Sequence, residues 1–496
     1  MNHINKTLCL ALMGAAVGGN AYAAPSKQQK PNVLMISIDD LNDWSGCLGN
    51  FPNIKTPNID RLAAKGIIFK NAHCQAPICA PSRAAIYMSL QPANTGLYYQ
   101  SSDKDIRKAN KRTADAVFMP DYFEEYGYKT MGVGKLMHNG DALKIYQEYG
   151  GVFPKMGFGP KPKERVNYNP KWFSKTRNTA TDWSPIDLPE EEMSDYKIAD
   201  WAVNKLGEKH DQPFFMAVGF IRPHVPWHVP QKWFDMFPLE DIQTPPYKKD
   251  DMDDIPEISK QLHDMPSMPK TEWLIKENKW KSMVQAYMAC MAFVDHQVGK
   301  VLDAMENSEY ADNTIIVLWS DHGYHLGEKN RTCKHSLWNR ATHVPLIFAG
   351  PGIEAKTSCD EAVQLIDIYP TLTALCGLPA NKDNEGHNLE QLIDSPDADW
   401  RYPAMTMYGF KNVSLYHGDY HFIQYKDGSM EFYDRKNDPN EWDNQANNPK
   451  FAKEIKRFKR MLPKDYAPLT KYTKINANKY MDAELKAAGI KVQGGH

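Results

Sequence analysis

Four short apolar runs set the frame of this chain. Asn32–Ile38 reads NVLMISI, Phe214–Phe220 reads FFMAVGF, Thr314–Ser320 reads TIIVLWS and residues 344–348 read VPLIF. These runs are nearly continuous rather than alternating, the pattern of strands buried on both faces. Helical periodicity appears between them, as at residues 56–65 and 287–305. Strands alternating with helices predict an α/β fold: a large, mainly parallel, doubly wound central sheet flanked by helices. Two long stretches, residues 150–181 and 238–270, lack periodicity and are rich in Pro, Gly, Lys and aromatics. They read as insertions, and insertions of that length are commonly functional. After about Ser395 the pattern changes to short aromatic strand-like pieces at residues 420–425 and 431–433, followed by an amphipathic basic helix over residues 450–461. The division expected is a main domain over residues 24–395 and a smaller C-terminal α+β subdomain over residues 396–496.

The first 23 residues read differently. Lys6 supplies a positive start, residues 8–18 form a short apolar run, and Ala21-Tyr22-Ala23 resembles a cleavage signal. This is the pattern of a secretory signal peptide cut before Ala24. The run falls short of the roughly 20 apolar residues a membrane span needs. The expectation is a protein without stable membrane insertion, secreted or periplasmic.

Charge then narrows the partners. The 496 residues carry 59 Lys+Arg against 61 Asp+Glu, a formal charge of -2. No overall basic field favours nucleic acid, although a local patch could still hold a polyanion. Removing Cys9 with the leader leaves seven of the eight cysteines. Seven is too few for a disulfide scaffold in so long a chain, and an odd number points to a specially used thiol.

Candidate chemistry collects where the predicted strands end. Asp39-Asp40 follows the first run, Asp321-His322 another, and His224 a third; Lys135 and His138 occupy a similar position. Ligands of open α/β sheets sit beyond the carboxyl ends of the strands. Three carboxylates and an imidazole gathered there would destabilise one another without a cation. The oxygen donors favour calcium or magnesium, while the imidazole is softer than calcium usually takes. A single such Asp is more often a helix cap, but two Asp-containing pairs at buried strand ends favour a site.

The sharpest motif is Cys79-Ala80-Pro81-Ser82-Arg83, just before a helical stretch. A helix N-terminus presents free backbone N–H groups to an anion, and Arg83 adds a planar multi-donor cation. On chemistry alone Cys79 could be a thiolate nucleophile or a buried structural residue.

Here a resemblance enters. C-x-P-S-R resembles the signature of the type I, formylglycine-dependent sulfatases. Asp39-Asp40, Thr56-Pro57-Asn58-Ile59-Asp60, Gly134-Lys135-Leu136-Met137-His138, Pro223-His224, Ser320-Asp321-His322-Gly323 and Lys334 resemble the other elements of that family, in order, over nearly the whole chain beyond the leader. The two-residue gap between Lys135 and His138 and the pair Lys334-His335 look most like the iduronate-2-sulfatase branch. The segment Gly219-Phe220-Ile221-Arg222-Pro223-His224 departs from that branch and loosens the substrate assignment.

The resemblance implies an alkaline-phosphatase-like fold and a bacterial polysaccharide sulfatase acting on a uronate 2-sulfate or a marine galactan or ulvan-type oligosaccharide. It implies that a maturation enzyme converts Cys79 to formylglycine, and that Asp39, Asp40, Cys79, Asp321 and His322 surround Ca2+ or Mg2+. Catalytic roles fall to Cys79, Arg83, Lys135, His138, His224 and Lys334. Substrate contacts fall to Lys135, His224, Lys334 and His335. Arg83 is expected to hold the hydrated aldehyde. His224, or else Lys334, would protonate the leaving oxygen, and His138 would take the proton whose loss expels sulfate. His325, Trp44, Tyr98 and Trp227 are weaker candidates for pocket walls. Two other readings stay open: a phosphatase or phosphonate monoester hydrolase of the same superfold, and a non-catalytic binder of sulfated glycans.

Overall fold

The structure is a computed structural model, described for residues 30–141, 143–151, 162–167, 169, 181–473 and 477–491. The expected leader and most of the first insertion lie outside the described residues. The described residues from 31 onward form one compact unit.

Nine strands build the main sheet among the described residues: β1 (Asn32–Ile38), β2 (Gly66–His73), β3 (Lys129–Gly134), β4 (Glu148–Tyr149), β5 (Phe214–Phe220), β6 (Thr314–Ser320), β7 (His343–Val344), β8 (Leu346–Ala349) and β9 (Thr357–Gln364). Their order is β4-β3-β5-β1-β6-β8-β2-β7, with β9 alongside β2. The left half, β4 to β6, is parallel throughout. β8 runs antiparallel to both β6 and β2, and β7 antiparallel to β2. The run at residues 344–348 is therefore two short antiparallel pieces rather than one parallel strand. Pro345 explains the break, because it has no N–H to give to the ladder.

The central strand shows why its sequence is apolar throughout. Val33 and Met35 enter the core on one face of the sheet, and Leu34, Ile36 and Ile38 enter the core on the other. Each side of β1 loses its apolar surface to a different layer of helices. The longest helix, Trp280–Glu306, packs with Ser194–Leu206 and Pro57–Ala64. Its buried Asp295 accepts the N–H groups of Asn58 at 3.1 Å and Ile59 at 2.8 Å, and so caps the Pro57–Ala64 helix from outside.

A second sheet follows: β10 (Ala404–Met407), β11 (Val413–His417), β12 (Tyr420–Gln424) and β13 (Met430–Asp434), antiparallel in sequence order. The helix Ala452–Met461 lays Ile455 and Phe458 inward, and Phe458 packs on Phe422 and Phe432. This is the small α+β layer expected at the C-terminal end.

Candidate active site

Parallel register brings four strand ends to one edge. Ile38 pairs with both Phe220 and Ser320, and Gly134 pairs with Gly219. The residues that follow, Lys135, Asp39-Asp40, Ile221 to His224 and Asp321-His322, therefore emerge side by side. Two glycines allow the closest approach. Gly134 has φ +80°, and a Cβ there would lie 2.2 Å from the Gly219 carbonyl; a Cβ on Gly219 would lie 2.3 Å from the Lys135 carbonyl. Only hydrogen fits at both positions, which sets where Lys135 leaves β3.

Asp40 also has a positive φ, 61°. Non-glycine residues hold that conformation where surrounding contacts over-determine it. Here the Asp40 N–H donates to Asp321 Oδ1 at 3.2 Å, and the Tyr287 hydroxyl donates to the Asp40 carbonyl at 2.8 Å.

Cys79 begins the buried helix Cys79–Met88, whose N-cap residue, Ile78, gives it no side-chain cap of its own. Its positive end faces the carboxylates and is open to an anion. Around Sγ stand Lys334 Nζ at 3.1 Å, His322 Nε2 at 3.3 Å and Lys135 Nζ at 3.6 Å. Lys334 also pairs with Asp40 Oδ1 at 2.7 Å, and Lys135 pairs with Asp39. Arg83 Nε donates to Asp321 Oδ2 at 2.9 Å and Nη2 to Asp39 Oδ1 at 3.2 Å. Nη1 of the same side chain reaches the Leu136 carbonyl at 2.9 Å. One guanidinium thus braces two strand-end carboxylates and the loop after β3.

Asp39, Asp40, Cys79 and His322 each aim one donor atom into a space in which those atoms lie within 4.8 Å of one another. Asp321 sits beside this group, its Oδ2 3.6 Å from His322 Nε2. Asp40 Oδ2 is buried and has no hydrogen-bond partner. Burial pushes the Asp40 carboxyl up to about 6 and the Asp321 carboxyl up to about 7. A buried, unpartnered carboxylate oxygen on Asp40, with a second raised carboxyl at Asp321, is what a divalent cation would satisfy, so the residues fit one. Burial, reinforced by Asp39, pushes the Cys79 thiol up to about 12. That leaves almost no thiolate at neutral pH, and an unmodified thiolate nucleophile is a poor reading of the site.

His224 Nε2 lies 4.0 Å from Asp39 and 3.9 Å from Asp40, while Nδ1 is 2.6 Å from the Val225 carbonyl. That contact assigns the hydrogen to Nδ1 and turns the Nε2 lone pair to the cluster. Burial and the two lysines hold His224 well below the ordinary imidazole range. Burial and Lys135 push His138 down to about 3. His335 stands at the margin, with φ 68° and Nδ1 3.1 Å from the Tyr408 hydroxyl. The suggested pocket walls are core instead: Trp44, Tyr98 and Trp227 are fully buried. His325 is also buried, bonded to Ser336 Oγ at 2.7 Å.

Sequence reasoning overlooked the supports. Ser82 Oγ donates to the Asp321 carbonyl at 2.6 Å, and Gln100 accepts the Ala80 N–H at 3.2 Å. Asp195 accepts the N–H of Ile221 at 2.6 Å and of Arg222 at 3.2 Å, and so shapes the loop that carries His224. Arg222, the point of departure from the iduronate-2-sulfatase pattern, is fully buried and donates to the His224 carbonyl at 3.0 Å. Asp103 accepts the Asn139 N–H beside His138. Ser82 was readable from its motif. Asp103 and Asp195 bind backbone, which leaves no motif behind.

Comparison with known proteins bears on the whole arrangement. The model of the Sulfatase family matches residues 31–378. This chain belongs to the sulfatase family. A second model, the C-terminal region of N-sulphoglucosamine sulphohydrolase, matches residues 327–467. A sulfatase of Formosa agariphila is 48% identical over 444 residues, covering 88% of this chain and 87% of that protein. The iduronate 2-sulfatase of Homo sapiens is 30% identical over 427 residues, covering 75% and 72%. A solved structure in complex with its substrate D-glucosamine-2-N,6-O-disulfate superposes with a TM-score of 0.67 at 21% identity, covering 88% of this chain and 97% of the other. The fold is the alkaline-phosphatase-like one of sulfatases, and the enzyme is a sulfuric ester hydrolase.

Proposed function

We propose that this sulfatase removes sulfate from a sulfated saccharide, through a formylglycine at position 79 and a divalent cation held by Asp39, Asp40, Asp321 and His322. The observation that carries this is the convergence of Lys334, His322 and Lys135 within 3.6 Å of a buried Cys79 that is a poor thiolate. The mostly oxygen donor set favours calcium, with magnesium second. The likeness to an iduronate 2-sulfatase and to a structure holding a glucosamine disulfate supports a saccharide, either a uronate 2-sulfate or a galactan or ulvan-type oligosaccharide. The leader-like residues 1–23 support export to the periplasm or beyond.

The cation, when bound, would draw charge from the sulfate oxygens and the nucleophile. Formylglycine would supply a hydrated aldehyde, with one hydroxyl to attack sulfur and a second whose deprotonation expels sulfate, an exit that serine or cysteine lacks. Lys135 and Lys334 flank position 79 and would orient the sulfate and offset its charge. Arg83 already donates to protein acceptors, so its part is to fix Asp39 and Asp321. His138, a neutral base in this environment, would take the second hydroxyl proton. His224 enters neutral and would gain a proton only as the anionic substrate arrives; Lys334, kept charged by Asp40 and Asp39 against the pull of burial, is the competing donor.

Sulfate release from a panel of defined oligosaccharides tests the proposal. The panel spans uronate 2-sulfates and sulfated galactans, with calcium present and formylglycine at position 79 verified by mass spectrometry. Release from one member identifies the sugar and position together. No release from any member overturns the saccharide assignment and directs testing to aryl, choline and phosphonate esters.

A further inference from the structure

The basic helix noted in the sequence has no part in the chemistry above. Its apolar side, Ile455 and Phe458, is buried against the C-terminal sheet, so its cations are not needed to hold it there. Two of them, Lys459 and Arg460, face a cleft of about 600 Å3 between the helix end, the turn after β12 and the segment beyond Met461. Lys411, Lys426, Lys459, Arg460 and Lys464 line it together with Tyr466, and no acidic residue does. Lys411 lies over the Phe410 and Tyr466 rings at 5.3 and 5.6 Å, and Lys426 is 3.6 Å from Glu484. Lys459, Arg460 and Lys464 are exposed and form no ion pair among the described residues. The nearest acids in sequence, Asp427 and Asp465, do not line the cleft, and Asp427 is engaged by Ser429 at 2.6 Å. The volume lies in the range of ligand sites, roughly 300–1,000 Å3. On a chain whose total charge is -2, this is a local field of one sign.

We infer that this cleft is a second, non-catalytic site that holds a sulfated polysaccharide while another part of the same polymer is processed. The inference rests on the saccharide reading proposed above. The committed occupant carries closely spaced sulfates, which complement the four lining cations other than the Glu484-paired Lys426, and sugar faces, which suit the aromatic wall formed by Tyr466. The placement also links the two sites. Lys411 follows Tyr408 by three residues, a span of at most about 11 Å, and the Tyr408 hydroxyl meets His335 beside Lys334. A polymer held in the cleft is retained on the enzyme, which raises its effective concentration at the site.

The test uses the full chain and two triple variants, K459E/R460E/K464E and K459Q/R460Q/K464Q. The neutral set guards against misfolding by charge reversal, and both are checked by thermal melting. Binding is measured by affinity electrophoresis at low salt, in the Cys79→Ser background so that the polymer stays intact. The probes are a sulfated galactan polymer, its chemically desulfated form, a polyuronate, duplex DNA and phosphatidylglycerol vesicles. The expected result is retention by the sulfated polymer that weakens at least about tenfold in the Glu set, less in the Gln set, and fades with salt. In the active enzyme the same variants should raise KM for the polymer and leave kcat/KM for a short oligosaccharide unchanged. Unaltered retention in both variants, or equal or stronger retention by polyuronate, DNA or vesicles, overturns the inference. Retention lost in the variants while the intact enzyme releases no sulfate from any saccharide would keep the cleft and discard the proposed reaction; sulfate release with retention unmoved would do the reverse.

Discussion

Lysine and arginine serve two regions of this molecule in opposite ways. At the strand ends, Arg83, Lys135 and Lys334 are buried, and each is matched to a named carboxylate at hydrogen-bonding distance. Along the Ala452–Met461 helix, Lys459 and Arg460 are exposed and unmatched. Buried charge is costly unless paired, so the first group is held in one geometry and shifts the titration of everything around it. Exposed charge is screened within about 8 Å at physiological salt, so the second group tolerates isolation and acts through its summed field. The same side chains thus make a fixed reaction site in one place and a soft attractive surface in the other.

The contrast is broken most severely at position 79. Cys79→Ser should lower sulfate release by at least about 10³-fold while leaving the melting temperature and circular dichroism essentially unchanged. Full steady-state activity in that variant would sink the formylglycine mechanism. Next comes the brace. Lysine cannot reproduce the several simultaneous bonds of Arg83, so Arg83→Lys should cost about 10–100-fold in kcat/KM and weaken calcium binding in calorimetry. A loss of activity with calcium affinity intact would argue against a positioning role.

Cation removal sharpens the comparison through pH. Without metal, burial raises Asp40 to about 6 and Asp321 to about 7, so the folded state retains protons that the unfolded chain releases near pH ~4. The stability contributed by those protons is complete below the unfolded value and is lost as pH rises through 6 to 7. Calcium at about 100 times its Kd would add about 2.7 kcal/mol. Because protons compete for the same carboxylates, the rise in Tm on adding calcium should be larger at pH 8 than at pH 5. Equal rises at both pH values would detach the cation from these residues. The smallest effect belongs to the surface. Arg61 is 29% exposed and pairs with Asp303 at 2.8 Å and Glu306 at 2.9 Å. Arg61→Ala should cost about 0.2–1 kcal/mol, read as a small drop in Tm that shrinks with added salt.

Legibility in the sequence followed the same division between buried and exposed. β1, β5 and β6 were read to the residue because both faces are buried and every position is constrained. β2 and β9 escaped notice: GIIFKNAH and TSCDEAVQ carry charged and polar residues, and only pairing with distant strands makes them strands. The long helix begins at Trp280 rather than near residue 287, since Lys279 offers no side-chain cap to mark its start. At the site, the residues of the Cys79 motif and the strand-end pairs were visible as types and spacings. Asp195 was not, because its work is to hold backbone in place, and Arg222 stood out only as part of a departure from the family pattern, its bond to the His224 carbonyl being invisible in the sequence.

The depth of Cys79 also has a consequence for timing. Its side chain is 2% exposed, at the head of a helix whose every residue is buried. On the formylglycine reading proposed above, a maturation enzyme would have to engage that segment before the fold closes over it. The strand that leads into the motif, β2, pairs with β7, β8 and β9, and the first of these begins 264 residues after Cys79 (343 minus 79). At ~5–20 residues per second, synthesis leaves the motif without its sheet partners for roughly 13–53 s. On that reading, oxidation at position 79 would belong to that interval, and the order of strands along the chain would act as a clock for modification.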